Sequence, residues 1–254
     1  MAPTVEDRAL KLAVTGKGGV GKTTLAAAIA RTLATERELI AVDGDPDMNL
    51  AEAIGIEQPN PITQEAELVE ERAGGAGGLV KMRPPVDDVL DTHSTHFGTS
   101  GRLITIGPPG GGGTGCLCAE NNFIRTLLGE VLDGDAVVMD MEAGIEHLGR
   151  GTARDVDAMV VVVEPTRAAV DTAHRVRSLA ADVGVDDVSA VVNKVRTEEQ
   201  AAVIRDALDL PVLHTVPFDE DVAAAGLRGT SPVEASSGLR AAARSIVDAV
   251  DARP

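Results

Sequence analysis

The sequence contains 254 residues, of which 44% are hydrophobic, and it carries a formal net charge of −17. That length and apolar content suit one α/β domain with a sizeable core. The negative charge repels the phosphates of nucleic acids and of anionic lipids, and three Phe with no Trp or Tyr offer few surfaces on which bases stack. We therefore expect neither a nucleic acid nor a membrane as partner.

The amino terminus is polar and acidic, unlike a signal peptide. No apolar run approaches the roughly 20 residues that a helix needs to span a bilayer. The sequence therefore predicts a cytoplasmic protein.

Short apolar segments alternate with helical segments along the chain, which is the pattern of βαβ units. The predicted strands are 11–15, 39–42, 102–106, 136–139, 159–163, 189–192 and 212–216. The predicted helices are 23–34, 120–132, 167–183, 198–208 and 239–250. Glycine and proline punctuate 73–78 and 107–115, which we predict to be loops. We predict an α/β fold in a single domain over residues 1–254, with a mainly parallel, doubly wound sheet of about seven to eight strands and helices on both faces.

The first strand leads into a glycine-rich segment and then into an Ala-rich helix, which is the context that a P-loop requires. The segment comprises Gly16, Lys17, Gly18, Gly19, Val20, Gly21, Lys22 and Thr23. Its backbone N–H groups and the helix N-terminus are suited to bind phosphates. Lys22 would reach the β- and γ-phosphates of ATP, Thr23 would bind Mg²⁺, and Thr24 would contact the α-phosphate.

A second lysine inside this loop, Lys17, is the more informative feature. It resembles the deviant Walker A motif of an ATPase class that includes MinD, ParA, the nitrogenase iron protein and the arsenic-pump ATPases. The resemblance implies that Lys17 crosses a dimer interface and contacts phosphates held by the other subunit, where its charge would act on the transition state. The alternative interpretation is a solvated lysine.

The second strand is followed by three carboxylates, Asp43, Asp45 and Asp47. Carboxylates at the carboxyl end of a strand beside a P-loop lie where Mg²⁺ and water are needed. In the resembled class the position of Asp45 orients or activates the attacking water, and Asp43 lies nearer the Mg²⁺ shell. An acidic loop is the alternative for both, and we interpret Asp47 as a helix cap.

The strand 136–139 ends at Asp140 and is followed by Glu142 and Gly144, a pattern that resembles Walker B and switch II. Asp140 would hold a water of Mg²⁺, and Gly144 would offer a backbone N–H to the γ-phosphate. Glu142 is unusual in such a loop, and we consider a coupling to the partner subunit.

Base recognition is predicted at the ends of two later strands. Asn193 follows the strand 189–192, where its amide can pair with the edge of adenine. Pro217 and Asp219 follow the last strand and resemble the second purine contact of the class. A cap or turn is the alternative for Asn193 and Asp219.

Cys116 and Cys118 are the only cysteines, and one intervening residue makes a disulfide between them strained. Two thiolates at this spacing can bind a soft or borderline metal, but a complete site takes about four ligands. Two copies facing a two-fold axis would supply four sulfurs. Two small buried side chains are the alternative. His93 and His96 form an H-x-x-H pair that we place in a polar, solvated loop.

Together these features resemble the CooC-type ATPases, which mature nickel-containing carbon monoxide dehydrogenase. The likeness covers nearly the whole chain and is found in residues 70–72, 85–88, 115–121, 140–152, 163–165 and 193–194. It implies an ATP-promoted homodimer in which both Cys-x-Cys pairs form a site for Ni²⁺, or for Zn²⁺, and a metalloenzyme client that receives the metal. Ala119 stands where many relatives have Pro. The roles of Glu146 and His147 remain open.

Two other functions compete with this prediction. One is a spatial switch of the MinD or ParA kind, against which stand the acidic charge and an Ala-rich segment 239–254 without aromatic residues. The other is an iron–sulfur ATPase, which would use four thiolates equally well. The nitrogenase iron protein, however, takes its ligands from well-separated segments and not from a Cys-x-Cys pair.

Overall fold

The computed structural model describes residues 10–74, 80–108, 117–133, 136–142 and 156–253, without the side chains of residues 117 and 118. Eight strands form one sheet in the order β3-β4-β2-β5-β1-β6-β7-β8. The strands are β1 (Lys11–Gly16), β2 (Leu39–Asp43), β3 (Thr95–Phe97), β4 (Gly101–Thr105), β5 (Ala136–Asp140), β6 (Ala158–Val163), β7 (Val188–Val195) and β8 (Val212–Pro217). All neighbouring strands are parallel except β3 and β4.

Ten α-helices and one 3₁₀-helix occur within the described ranges. The helices are α1 (Lys22–Leu33), α2 (Leu50–Ile54), α3 (Ala66–Ala73), α4 (Val89–His93), α5 (Leu117–Asp133), α6 (Arg167–Val183), α7 (Glu198–Ala207), α8 (Glu220–Arg228), α9 (Pro232–Ala235) and α10 (Ser237–Asp251), with the 3₁₀-helix at Ile62–Gln64. None of the helices in these ranges is both long and apolar enough to cross a bilayer. The predicted fold class is confirmed, and each of the predicted strands and helices is present with its ends displaced by a few residues.

The core lies on both faces of the sheet. Every residue of β5 and of β6 is buried, which explains why their sequences do not alternate. The alanines 26–28 and 30 of α1 have no exposed surface, so this helix packs closely against the sheet. The strands β1, β2 and β5 end at the same edge, and the register aligns Asp43 with Asp140. The fold therefore delivers polar groups from separate motifs to one edge.

The placement of His93 and His96 in a polar loop was wrong. His93 ends α4, and His96 lies on β3, where it pairs with Arg102 of β4. The strand β3 has only three residues and a polar sequence, so no period of alternation marks it. The side chain of His96 is exposed, as expected for a solvated residue, whereas His93 is half-buried.

Gly107 holds the start of the segment that leads from β4 to the cysteines. Its φ of +88° favours glycine. A methyl group on its Cα would lie 2.5 Å from Thr63 Oγ1 and 2.7 Å from Pro61 Cβ. The Thr63 N–H also donates to the carbonyl of Ile106 at 3.0 Å. The segment is thus clamped against the 3₁₀-helix where it leaves the sheet.

We expect Gly107→Ala to lower the free energy of unfolding by about 2 to 4 kcal/mol, because it adds steric overlap and a strained φ. Urea denaturation measures this change. The matched control is Gly129→Ala in α5, where an added methyl meets nothing within 4 Å. That control should raise the free energy of unfolding by up to about 1 kcal/mol. Equal behaviour of the two variants would contradict the clamp.

Candidate active site

The predicted P-loop adopts a glycine-dependent conformation between β1 and α1. Gly19 and Gly21 have φ values of +83° and +95°, and a methyl group on Gly16 would collide with the carbonyl of Val162. The side chain of Val20 is buried and anchors the loop. The N-cap residue of α1 is Gly21, which has no side chain to cap the helix, and the first turn contains no acidic residue. Its free N–H groups and positive end are therefore available to an anion.

Lys22 is held by Asp45 in this structure. Their charged groups lie 3.4 Å apart, and their side chains are only 7% and 12% exposed. Lys17, by contrast, is exposed and makes no ion pair within the described part of the chain. The two lysines of the loop thus differ, since Lys22 faces the interior of the site and Lys17 faces solvent.

Asp43 organises the turn that carries Asp45. One carboxylate oxygen accepts the Asp45 N–H at 3.2 Å, and the other accepts the Leu50 N–H at 3.0 Å. The interpretation of Asp47 as a helix cap was therefore wrong, because Asp43 reaches the first turn of α2 instead and the Asp47 N–H donates to Asp45 Oδ1. Burial raises the pKa of Asp43 to about 7, helped by nearby Asp140 and opposed by its two N–H donors.

Asp140 is fully buried, and neither of its carboxylate oxygens has a hydrogen-bond partner among the described residues. Burial raises its pKa to about 6, while the nearby Thr23 hydroxyl and Lys22 ammonium oppose the rise. A buried carboxylate without donors beside a P-loop threonine is where a hydrated Mg²⁺ would supply the missing contacts. The residues present therefore fit the predicted magnesium site, and the individual ligands Thr23, Asp43 and Asp140 stay predictions.

The end of β7 is fastened to the P-loop. Asn193 Nδ2 donates to the carbonyl of Val20 at 2.8 Å, and its Oδ1 accepts the Lys194 N–H at 2.9 Å. The Lys194 ammonium donates to the carbonyl of Gly19, and Lys194 itself has a positive φ of +59°. Here the strand continues past its predicted end because the ladder to β8 resumes after an irregularity. The sequence motif included Lys194, but we had assigned it no role.

The end of β8 is fixed by Asp219. Its carboxylate accepts N–H groups of Asp221 and Val222, and Ser236 Oγ donates to it at 2.5 Å. The Ser236 hydroxyl is the main reason why the pKa of Asp219 lies below its usual value. The capping role that we had left open is therefore confirmed, while its contact with a purine stays a prediction. Pro217 is the last residue of the strand.

These elements enclose one cavity of about 920 Å³, at the upper end of the size usual for ligand sites. The predicted residues that line it are Gly18, Gly19, Gly21, Lys22, Thr23, Thr24, Asp45, Glu142, Asn193, Pro217 and Asp219. Lys194 and Phe218, which belong to the same sequence motifs but had been given no role of their own, line it as well. The structure thus brings residues from both ends of the chain to one site.

Several predicted residues fall outside the description. Cys116, Gly144, Glu146 and His147 lie outside the described residues, and so does the side chain of Cys118, whose backbone belongs to the first turn of α5. Within the described ranges, no three His, Cys, Asp or Glu residues are grouped closely enough to bind a metal together.

Residues 11–233 match the family model of the CobQ/CobB/MinD/ParA nucleotide binding domain. The carbon monoxide dehydrogenase accessory protein CooC of Rhodospirillum rubrum is 37% identical over 95% of this chain and 96% of its own. An uncharacterized ATP-binding protein of Methanocaldococcus jannaschii is 39% identical over 84% of this chain and 87% of its own. MinD of Pyrococcus horikoshii, solved with Mg-ADP, superposes with a TM-score of 0.66 at 21% identity, covering 95% of each chain.

The fold, the P-loop and these matches define a P-loop ATPase. The chain belongs to the CobQ/CobB/MinD/ParA nucleotide-binding family, within which it is a CooC-type ATPase. The predicted class and the predicted resemblance are therefore confirmed.

The buried carboxylate of Asp140 makes the stability of the nucleotide-free protein depend on pH. Its pKa is about 6 when folded against an ordinary value of 3.8, so the folded state holds the proton more tightly. The stabilisation that comes from this tighter binding of the proton is complete below pH 3.8 and is lost as pH rises through about 6. We expect Asp140→Asn, which cannot ionise, to gain up to about 3 kcal/mol over the wild type between pH 4 and 7.

Urea denaturation with chelator at a series of pH values measures this gain. Asp133→Asn, which removes an exposed carboxylate at the end of α5, is the control for the loss of a carboxylate that is not buried. A pH-independent difference for Asp140→Asn would contradict the assigned burial.

Proposed function

We propose that this ATPase is a nucleotide-switched homodimer that binds Ni²⁺, or Zn²⁺, between the Cys116 and Cys118 pairs of two subunits and delivers the metal to a metalloenzyme client such as carbon monoxide dehydrogenase. The observation that carries the proposal is the topology around the cysteines. In the sequence Cys116 directly precedes α5, and the backbone of Cys118 belongs to its first turn, while β4, the preceding strand, ends beside Asp43 at the sheet edge that carries the P-loop. The 37% identity to the R. rubrum carbon monoxide dehydrogenase accessory protein supports a client of this class.

The phosphate chemistry follows from the ion pair at the P-loop. Phosphates bound at the start of α1 compete with Asp45 for the Lys22 ammonium. Asp45 is then free to accept a proton or to orient a water at the γ-phosphate. Thr23 and Asp140 would hold Mg²⁺, which neutralises phosphate charge when bound. Lys17 extends to the nucleotide of the partner subunit, in keeping with its exposure.

The same turn reaches the base of the cysteine segment. The Met48 N–H donates to the carbonyl of Asp45 at 3.0 Å, and Met48 has a φ of +51°, which is strained for a side chain of this size. The Met48 sulfur lies 3.8 Å from the position of a methyl group on Gly107. A displacement of Asp45 on phosphate binding is therefore passed to the segment that leads to Cys116. Such a differential contact is what couples two sites.

Metal release follows from sharing the ligands between subunits. Two thiolates per chain leave a four-coordinate metal incomplete until a second chain contributes its pair. Hydrolysis of ATP removes the contacts that Lys17 makes across the interface. The two pairs then separate and the metal passes to stronger ligands on the client.

The trans role of Lys17 is tested by complementation. We expect Lys17→Ala and Asp45→Asn each to lower ATP turnover by about 100-fold or more, since each removes a group that acts in the transition state. An equal mixture of the two variants should recover about a quarter of the wild-type rate, because half of the dimers are mixed and each holds one complete site.

The control is a mixture of Lys17→Ala with the double variant Lys17→Ala/Asp45→Asn, in which no complete site can form. Recovery in that control, or no recovery in the first mixture while both variants still bind ATP, would count against Lys17 acting across the interface.

Metal binding is tested by anaerobic titration of reduced, metal-free protein with Ni²⁺, in the presence of ADP, of a non-hydrolysable ATP analogue or of no nucleotide. We expect about one Ni²⁺ per two chains, thiolate-to-metal charge-transfer absorption and a dependence on nucleotide. Cys116→Ser and Cys118→Ser should each abolish this absorption.

His96→Asn is the matched control, because His96 is an exposed potential ligand on β3, and it should bind Ni²⁺ as the wild type does. Absence of stoichiometric binding in every nucleotide state would overturn the metal role and leave the ATPase assignment intact. A brown chromophore after anaerobic purification would favour an iron–sulfur cluster instead.

A further inference from the structure

We propose that Glu142 is a catalytic carboxylate of this ATPase, which accepts the proton of the water that attacks the γ-phosphate. The inference rests on the ATPase assignment and is independent of the proposed metal site. It divides the role proposed for Asp45 into two parts, in which Asp45 orients the water and Glu142 takes its proton.

The backbone of Glu142 is fixed beside the start of the P-loop. Its carbonyl accepts the hydroxyl of Thr15 at 3.0 Å, and Thr15 is buried and directly precedes Gly16. The Met141 N–H donates to the carbonyl of Val14 at 2.9 Å. The segment that leaves β5 is therefore tied to β1 at two successive residues, and the side chain of Glu142 extends from a well-defined position.

The order of the strands places Glu142 at the end of the cavity where the terminal phosphate would lie. The strand β5 lies between β2 and β1, whereas the cavity continues in the other direction along the sheet to β7 and β8. Phosphates bind at the start of α1, and the base is predicted to bind at the ends of β7 and β8. A nucleotide lying across β1 in this direction extends its γ-phosphate toward β2 and β5, the strands that precede Asp45 and Glu142.

Four carboxylates lie at or two residues beyond the ends of β2 and β5, and Glu142 differs from the other three. Asp43 and Asp140 are completely buried and are not among the residues that line the cavity. Asp45 lines it, but one of its oxygens accepts a backbone N–H at 3.1 Å and the other lies 3.4 Å from the Lys22 ammonium. Glu142 lines the cavity and is exposed, and none of the described residues pairs with its carboxylate.

An unpaired carboxylate in this position is suited to proton transfer. In hydrolysis the water oxygen forms a bond to the γ-phosphorus, the bond from that phosphorus to the bridging oxygen breaks, and ADP leaves with the electron pair. The proton that the water loses passes to an oxygen of Glu142 and from there to solvent. A carboxylate already held by an ammonium, as that of Asp45 is in this structure, is a weaker proton acceptor.

Single-turnover hydrolysis of pre-bound ATP tests this role, because it measures the chemical step apart from binding. We expect Glu142→Gln, which keeps the shape and loses the proton acceptor, to lower this rate by about 100-fold or more, while its Kd for ADP stays within about twofold of the wild-type value. Glu142→Asp retains a carboxylate and should keep more activity than the Gln variant. The matched control is Glu130→Gln, an exposed glutamate of α5 outside the cavity lining, which should hydrolyse ATP at the wild-type rate.

The same measurements separate proton transfer from a structural role or a contact with the partner subunit. In either of those cases Glu142→Gln would weaken binding of a non-hydrolysable ATP analogue, and bound ATP would still be hydrolysed. A single-turnover rate within about threefold of the wild type would therefore overturn the proposal, as would a loss of rate matched by an equal loss of nucleotide affinity. Activity kept in Glu142→Gln but lost in Asp45→Asn would identify Asp45 as the acceptor. The cysteine-free protein, which lacks the proposed metal site, serves equally well.

Discussion

The burial of two carboxylates side by side is the constraint on which the rest of the site depends. Parallel pairing of β2 with β5 aligns Asp43 with Asp140, and both have no exposed surface. Charge at such positions is costly unless it is compensated. The protein compensates Asp43 with two backbone N–H groups, and in doing so it shapes the turn to α2. Asp140 receives no such bonds from the described residues, and the nearby Lys22 ammonium is the cation that favours its ionised form.

The ion pair between Lys22 and Asp45 connects the P-loop to the turn 43–49, which Asp43 shapes. Lys22 is shared between the P-loop and Asp45, so an anion at α1 changes the balance of charge on the turn 43–49. Met48 in this turn is already in a strained conformation, and its sulfur lies 3.8 Å from the position that a methyl group on Gly107 would take. Because the core on both sides of the sheet is closely packed, a displacement of this turn is expected to shift its neighbours rather than to be absorbed within the turn. The described contacts thus run from Lys22 and Asp45 to Met48 and Gly107, where the segment that leads to the cysteines begins.

Those elements could be predicted from the sequence that have a periodic or continuous hydrophobic pattern or contain a recognisable motif. The run of valines in β6 predicts a buried strand, and the Gly-Lys-Thr sequence predicts a phosphate-binding loop followed by a helix; the structure has the strand and the helix at these positions. The helix α4 and the strand β3 were not predicted, because each has five residues or fewer and no periodic pattern marks it. The cap of α2 was assigned to Asp47 because local rules favour a nearby acid, whereas the buried carboxylate of Asp43 makes the contact.

The contacts that side chains make across the cavity could not be predicted from local sequence patterns either. Lys194 and Phe218 gain their positions from the return of β7 and β8 to the P-loop, more than 170 residues along the chain. The same geometry gives Asn193 a structural role at the P-loop. Its amide donates to the Val20 carbonyl at 2.8 Å, which joins the end of β7 to the loop between β1 and α1. The shape of the phosphate site is therefore set in part by a side chain 173 residues further along the chain, a dependence that no local sequence pattern contains.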